Sequence, residues 1–320
     1  MEPGQSPNES VPVLDLEDVS HFYGSKAAIQ NINISVSEGE IFGLLGPNGG
    51  GKTTLCRIIS TTLKPRTGRV SFCGADIWGN IRELRKRLGV VFQASSLDSQ
   101  LSVLENLRLQ GRLHGLGGIE LEDQIARLLI RFRLTDRRDD IVRHLSGGLR
   151  RRVEVAKAFI HQPNFLLLDE PSTGLDPGAR VDLWDIVQRL RVEHGVTVFM
   201  TTHLIDEADR CDRVGIIHRG RIVAMGTPDE LKAEVGVDVV TATTRNPEEL
   251  AQNIATKYNV EVFVLDGKVR LGIDNGNEFA AMLSHDFADQ VILVNVGKPT
   301  LEDVFIGRTG LRFGEEEPED

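Results

Sequence analysis

The sequence predicts an α/β fold, a doubly covered parallel sheet carrying a phosphate-binding loop, followed by a small C-terminal α+β domain. Three observations carry this. The stretch "GPNGGGKTT" at 46–54 fits G-x-x-x-x-G-K-[ST], with the strand-like "EIFGLLG" before it and the helix-like "KTTLCRIISTTL" overlapping its end. Further on, "PNFLLLDE" and "GVTVFMTTH" are short apolar runs suited to strands buried on both faces, and "GARVDLWDIVQRLRVEHG" between them reads as the helix of a β-α-β unit. After Gly236 the pattern restarts as strand, helix, strand, strand, helix, strand.

In chain order, "MEPGQSPNESVP" (1–12) reads as a flexible tail, with neither the basic start nor the apolar stretch of a signal peptide. Apolar alternation in "VLDLEDVSHFYG" suggests a strand. Behind the glycine loop, Leu55, Ile58, Ile59 and Leu63 fall at helical spacing. "GRVSFCG" and "RLGVVFQ" read as strands, and the pattern turns helical over about 94–160. Leu121, Ile125, Leu128, Leu129 and Phe132 form one apolar stripe there. "RVGIIHRGRIVAMG" reads as a hairpin turning near Arg219-Gly220. These boundaries give a nucleotide-binding domain over 13–235, a small α+β domain over 236–310 and an acidic tail over 311–320.

Composition narrows the function classes. The net charge of −10 is concentrated at the C-terminal end, where residues 236–320 hold 16 acidic and 7 basic side chains. Such a chain lacks the long basic stripe of a nucleic-acid binder, and no nucleic-acid partner is expected. Arg150, Arg151 and Arg152 make a small footprint and read as a solvated helix face with electrostatic help from Glu154. No apolar run approaches the roughly 18 residues of a membrane helix, so membrane association is expected to come through a partner. Cys56, Cys73 and Cys211 are scattered, which argues against a zinc site or disulfide framework; they read as small apolar fillers in a reducing cytoplasm.

The chemistry centres on the loop. Gly46, Pro47, Asn48, Gly49, Gly50 and Gly51 let the backbone wrap close around phosphates, which Cβ atoms would obstruct. Lys52 is placed to reach the β- and γ-phosphates and the Thr53 hydroxyl to ligate Mg²⁺, with Thr54 alongside. Asp169 ends an apolar strand on the nucleotide side of the sheet, where its carboxylate can hold Mg²⁺ directly or through water. Glu170 follows, placed to orient or deprotonate the attacking water. Ser146, Gly147 and Gly148 open a second helix, whose unpaired N–H groups form a second anion site 94 residues beyond Lys52. Ser146 also reads as a plain helix N-cap, and the two roles are compatible. Leu149 is in register with Val153, Ala156 and Ile160, so its simplest role is packing.

In this order, the motifs over residues 13–231 resemble the nucleotide-binding subunit of an ATP-binding cassette (ABC) transporter. That resemblance implies a P-loop NTPase cassette: a RecA-like core with an antiparallel β subdomain and a helical subdomain, using ATP and Mg²⁺. It implies that Tyr23 stacks on adenine and that Gln93, after "GVVF", touches Mg²⁺ or water and relays to the membrane partner. It assigns His203, closing "VFMTTH", to the γ-phosphate, and Asp176 of "STGLDP" to a loop crossing a dimer interface. Ser146-Gly147-Gly148 is similar to the signature motif, which in the family binds the γ-phosphate of ATP held by a facing cassette. Two ATPs would then bind the closed pair better than the open one, which lets a ligand drive closure. "LSGGLRRRVEVAKA" and "PTLEDVFIGRTG" resemble daunorubicin-resistance-type exporters. This implies two copies of the chain working with two separate membrane subunits of about six helices, at the cytoplasmic face of the membrane. An importer ATPase shares these motifs, as does a soluble ATP-driven switch acting on ribosome or DNA. One cassette per chain and the lack of a long coiled-coil insertion argue against the soluble types.

Overall fold

The computed structural model describes residues 11–311 and 313. Most of the expected N-terminal tail and nearly all of the acidic tail lie outside the described residues. The chain divides into two compact units, one reaching His203 and including Arg219–Arg221, the other comprising Leu204–His218 and the chain from Ile222 onward.

In the first unit, β1 (Leu14–Tyr23) and β2 (Lys26–Val36) form an antiparallel hairpin, with Leu14 opposite Val36 and Tyr23 opposite Lys26. Next come β3 (Ile41–Leu45), α1 (Lys52–Ile59), β4 (Thr67–Phe72), β5 (Ala75–Asp76), α2 (Ile81–Arg87) and β6 (Leu88–Val91). The antiparallel sheet runs β2-β1-β4-β5. Sequence reasoning did not single out β2. Asn31, at φ +48, breaks the alternation of its buried Ile29, Ile32, Ile34 and Val36, so a strict period of two is lost. The helix after the loop is shorter than its apolar spacing implied: it ends at Ile59 and turns at Thr61, φ +61, so Leu63 lies beyond it.

The helical stretch comprises α3 (Val103–Leu113), α4 (Gly118–Arg131) and α5 (Gly147–Ala158), with two short 3₁₀ turns before α5. Leu121, Ile125, Leu128, Leu129 and Phe132, the expected stripe, are all buried. Full burial of each such side chain contributes about 1.5–3 kcal/mol. Then follow β7 (Phe165–Asp169), α6 (Pro177–His194) and β8 (Thr197–Thr202). Every residue of β7 and β8 is buried, as expected of strands covered on both faces. Parallel pairing of β3 with β8, β8 with β7 and β7 with β6 places the C-terminal ends of these strands on one edge. On that edge ligands of open α/β sheets bind.

The second unit contains α7 (Ile205–Ala208), β9 (Arg213–His218), β10 (Arg221–Gly226), whose first residue still belongs to the first unit, and α8 (Pro228–Ala233). It continues through β11 (Asp238–Thr244), α9 (Pro247–Tyr258), β12 (Phe263–Leu265), β13 (Lys268–Ile273), α10 (Gly276–Asp286) and β14 (Val291–Gly297), ending in α11 (Leu301–Thr309). The antiparallel order β12-β13-β11-β14 places Val240, Ala242, Val269 and Leu271 against Leu250 and Ile254 of α9 and Phe279 and Leu283 of α10. Of the cysteines, Cys56 and Cys211 are buried fillers, whereas Cys73 is exposed at a φ of +49 just after β4, where it fills nothing.

Candidate functional site

A cleft of about 600 Å³ in the first unit has Tyr23 among its lining residues. Asn48, Gly49, Gly51, Lys52, Thr53 and Thr54 also line it, as does the group Gln93, Glu170, Thr173 and His203. The chain delivers these groups from separate ends of elements: the end of β1, the turn from β3 into α1, and the ends of β6, β7 and β8. Tyr23 is half exposed and meets His21 edge to face at 5.0 Å, which leaves a ring face open for stacking. Gly51 is the N-cap of α1 at φ +107, a conformation that a residue with a Cβ rarely adopts.

Lys52 is nearly fully buried. Its ammonium donates to the carbonyls of Gly46 at 2.8 Å and Pro47 at 2.9 Å, and pairs with Glu170 Oε1 at 3.0 Å. Those three contacts use its whole donor capacity. The other carboxylate oxygen, Glu170 Oε2, receives the Thr173 hydroxyl at 3.0 Å and the Gln93 amide at 3.4 Å, with His203 Nδ1 at 3.2 Å. Burial pushes the Glu170 carboxyl up; the hydrogen bond and charge of Lys52, the Thr173 hydroxyl and the charge of His203 outweigh it and hold the carboxyl below its ordinary value. Thr173 was missed by sequence reasoning. Its signal was its position three residues after Glu170, in the turn that leads to α6.

The backbone at Glu170 is in the left-handed region, φ +46. For a side chain of this kind that costs roughly 1–3 kcal/mol and persists only where the surroundings over-determine it. Part of the restraint comes from Thr201, whose carbonyl and hydroxyl both accept the Glu170 N–H, at 3.2 and 3.0 Å. The Thr201 hydroxyl also donates to Asp169 Oδ1 at 2.7 Å. Asp169 Oδ2 is buried with no hydrogen-bond partner. A buried carboxylate oxygen with spare lone pairs at the end of β7, together with the Thr53 hydroxyl and the Gln93 amide that line the cleft, is a donor set of the hard-oxygen kind that suits Mg²⁺. Beneath it, burial pushes the Cys56 thiol up, and the Asp169 charge adds to this, so Cys56 stays neutral.

The remaining expected residues stand at helix starts. Ser146 caps α5, its Oγ accepting the Leu149 N–H at 3.3 Å. Asp176 caps α6, with Oδ1 accepting from Ala179 N–H at 2.9 Å. The two signature glycines differ in surroundings. A Cβ at Gly148 would meet Ala179 Cβ of α6 at 2.7 Å, whereas one at Gly147 would meet only Leu175 Cδ2, at 3.8 Å. Helix packing therefore explains glycine at 148, whereas packing within the described residues does not require one at 147. Leu149 is half-buried above the fully buried Val153, Ala156 and Ile160, in keeping with a packing role.

The arginine triplet needs correction. Arg150 is exposed, but Arg152 pairs with Asp182 of α6, and Arg151 is 7% exposed and bonded to four backbone carbonyls and Glu154. A buried guanidinium requires that many acceptors, and the helix face bearing Arg151 packs onto the end of β7 and away from water.

The ABC transporter family model matches residues 29–173. The daunorubicin resistance ATP-binding protein DrrA3 of Streptomyces coeruleorubidus is 38% identical over 294 residues, covering 90% of this chain and 93% of that one. The Nod factor export ATP-binding protein I of Cupriavidus metallidurans is 43% identical over 230 residues, covering 71% of this chain and 76% of that one. Among solved structures, the dimeric post-hydrolysis state of the ATP-binding cassette MJ0796 bound to ADP and Pi aligns with a TM-score of 0.62 at 27% identity, covering 67% of this chain and 98% of that one. With the phosphate loop, Asp169, Glu170 and His203 on one edge of the sheet, the chain belongs to the ABC transporter family and is one of its ATP-hydrolysing cassettes.

Proposed function

We propose that this cassette powers export of a drug-like or lipophilic substrate through a separate membrane subunit, by closing on ATP as a homodimer and reopening after hydrolysis. The observation that carries the catalytic part is the convergence of Gln93, Thr173 and His203 on one oxygen of Glu170 in the cleft that Tyr23 also lines. Adenine stacks on Tyr23, and the loop from Gly46 to Thr54 wraps the phosphates. Lys52 turns from Glu170 to the β- and γ-phosphates. Thr53, Gln93 and Asp169 would hold Mg²⁺, which when bound neutralises phosphate charge. Glu170, released from Lys52, orients water and takes its proton as the oxygen attacks the γ-phosphorus and the bond to the bridging oxygen breaks. His203, an imidazole within reach of that carboxylate, steadies the γ-phosphate. Ser146, Gly147 and Gly148 serve the nucleotide of the facing cassette, and Asp176 lies at the crossing. The cassette spans 13–235 and the small domain 236–310. No helix among the described residues is long and apolar enough to cross a membrane. In this reading the membrane subunit holds the cassette at the cytoplasmic face.

Export is the reading favoured by relatives whose names carry drug resistance and Nod factor export. Glu170→Gln is expected to bind ATP, lose hydrolysis and elute as a dimer with ATP on a sizing column; normal hydrolysis would remove Glu170 as the base. Cell fractionation is expected to place the chain with membranes and a multi-helix protein. Co-sedimentation with ribosomes or DNA would overturn the transport reading.

A further inference from the structure

We propose that Arg151 is a positioning residue for ATP hydrolysis, fixing the backbone that carries Glu170 and Gln93. The proposal rests on the reading of Glu170 as the base.

All five N–H groups of this guanidinium have an acceptor. Nε donates to the Pro171 carbonyl at 2.6 Å. Nη1 donates to the Phe92 carbonyl at 2.8 Å and to Glu154 Oε2 at 2.6 Å. Nη2 donates to the carbonyls of Asp169 and Glu170, each at 3.1 Å. One rigid planar fork thus donates to three successive carbonyls around the left-handed turn at Glu170, and to the carbonyl of the residue before Gln93. Glu154, 5% exposed and one turn along α5, balances the charge. Thr201 restrains the Glu170 N–H from one side of the turn; Arg151 restrains the carbonyls from the other.

Geometry separates this from a simple bolt between α5 and β7. A bolt needs one strong contact; here the acceptors belong to the peptides whose rotation would swing the Glu170 carboxylate and the Gln93 amide. Arg151 spends all five N–H groups on backbone carbonyls and Glu154 and none on the side chains of Glu170 and Gln93, so its action is through the backbone. It sits on the helix whose N-cap is Ser146, so the element offered to a facing nucleotide is tied to the base of its own site. Lysine would keep the charge opposite Glu154 yet lose the planar fork.

The test uses the full chain as Arg151→Lys, as Arg151→Gln/Glu154→Gln, which removes both charges together, and as Glu170→Gln. Each is measured for Tm, ATP affinity, and the kcat and KM of hydrolysis 15 °C or more below its own Tm. Expected are ATP affinity and KM within about twofold of the parent, kcat at least tenfold down in the double variant, and a smaller loss in Arg151→Lys. A kcat within twofold of the parent in either Arg151 variant overturns the proposal, as does a fall in ATP affinity matching the fall in kcat. An inactive Glu170→Gln beside an Arg151→Lys whose kcat stays within twofold of the parent sinks this proposal alone. An active Glu170→Gln sinks the assignment of the base instead.

Discussion

Removing Lys52 is expected to destabilise the protein more than removing its partner does. Lys52→Met leaves the Glu170 carboxylate, 5% exposed, without its nearest cation. Breaking a buried pair by deleting one partner costs about 3–5 kcal/mol. The Thr173 hydroxyl at 3.0 Å and His203 at 3.2 Å stay and offset part of this, so about 2–4 kcal/mol is expected. Glu170→Gln leaves the ammonium on the carbonyls of Gly46 and Pro47, and about 1–2 kcal/mol is expected. The double variant should cost less than the sum by at least about 1 kcal/mol. Urea unfolding of the nucleotide-free protein at pH 7 measures all three. The pH dependence gives a second check. Because the folded carboxyl lies below its ordinary value of 4.5, its contribution is fully present above that value. It is lost as pH falls through the folded pKa, and the parent's advantage over Lys52→Met should shrink there. Costs that add to within about 0.5 kcal/mol at pH 7 would refute the reasoning.

Three further outcomes are expected. Ser146→Arg should bind ATP like the parent while failing to dimerise on a sizing column; loss of ATP binding in the monomer would defeat the facing-site reading. Gly147→Ala should leave Tm nearly unchanged but lower ATPase activity, whereas Gly148→Ala, with its Cβ 2.7 Å from Ala179 Cβ, should cost about 1–3 kcal/mol of stability. Burial and the neighbouring His114 charge bring His161 down to about 4, so the unfolded chain binds the extra proton between 6.5 and 4. Stability should fall as pH drops through that window, and His161→Phe should flatten the fall in Tm.

The contact points of the cleft were legible because they lie in local patterns: a glycine loop between strand and helix, and polar residues closing apolar strands. Lys52, Asp169 and His203 each terminate or follow such a pattern. What the sequence hid was partnership across the fold. Nothing near Lys52 announces that it spends its third hydrogen bond on Glu170, 118 residues on, because strand order sets that pairing. Arg151 was read as solvated because two arginines flank it, although helical geometry turns adjacent residues 100° apart and sends them to different surroundings. The strand β2 stayed hidden behind the bulge at Asn31. The part after Gly236 was legible as an order of elements from β11 to β14, since its apolar runs are short and cleanly separated; the short helices α7 and α8 before it and α11 after it were additions.

Ser146 offers a last consequence. A serine hydroxyl holds one proton and two lone pairs. Capping α5 spends a lone pair on the Leu149 N–H and leaves the proton unspent. Aspartate would cap the helix equally well, with no proton to give and a charge that repels phosphate. The chain therefore keeps at this position a small, uncharged cap that can still donate, and the bond that starts the helix leaves that donor at its mouth.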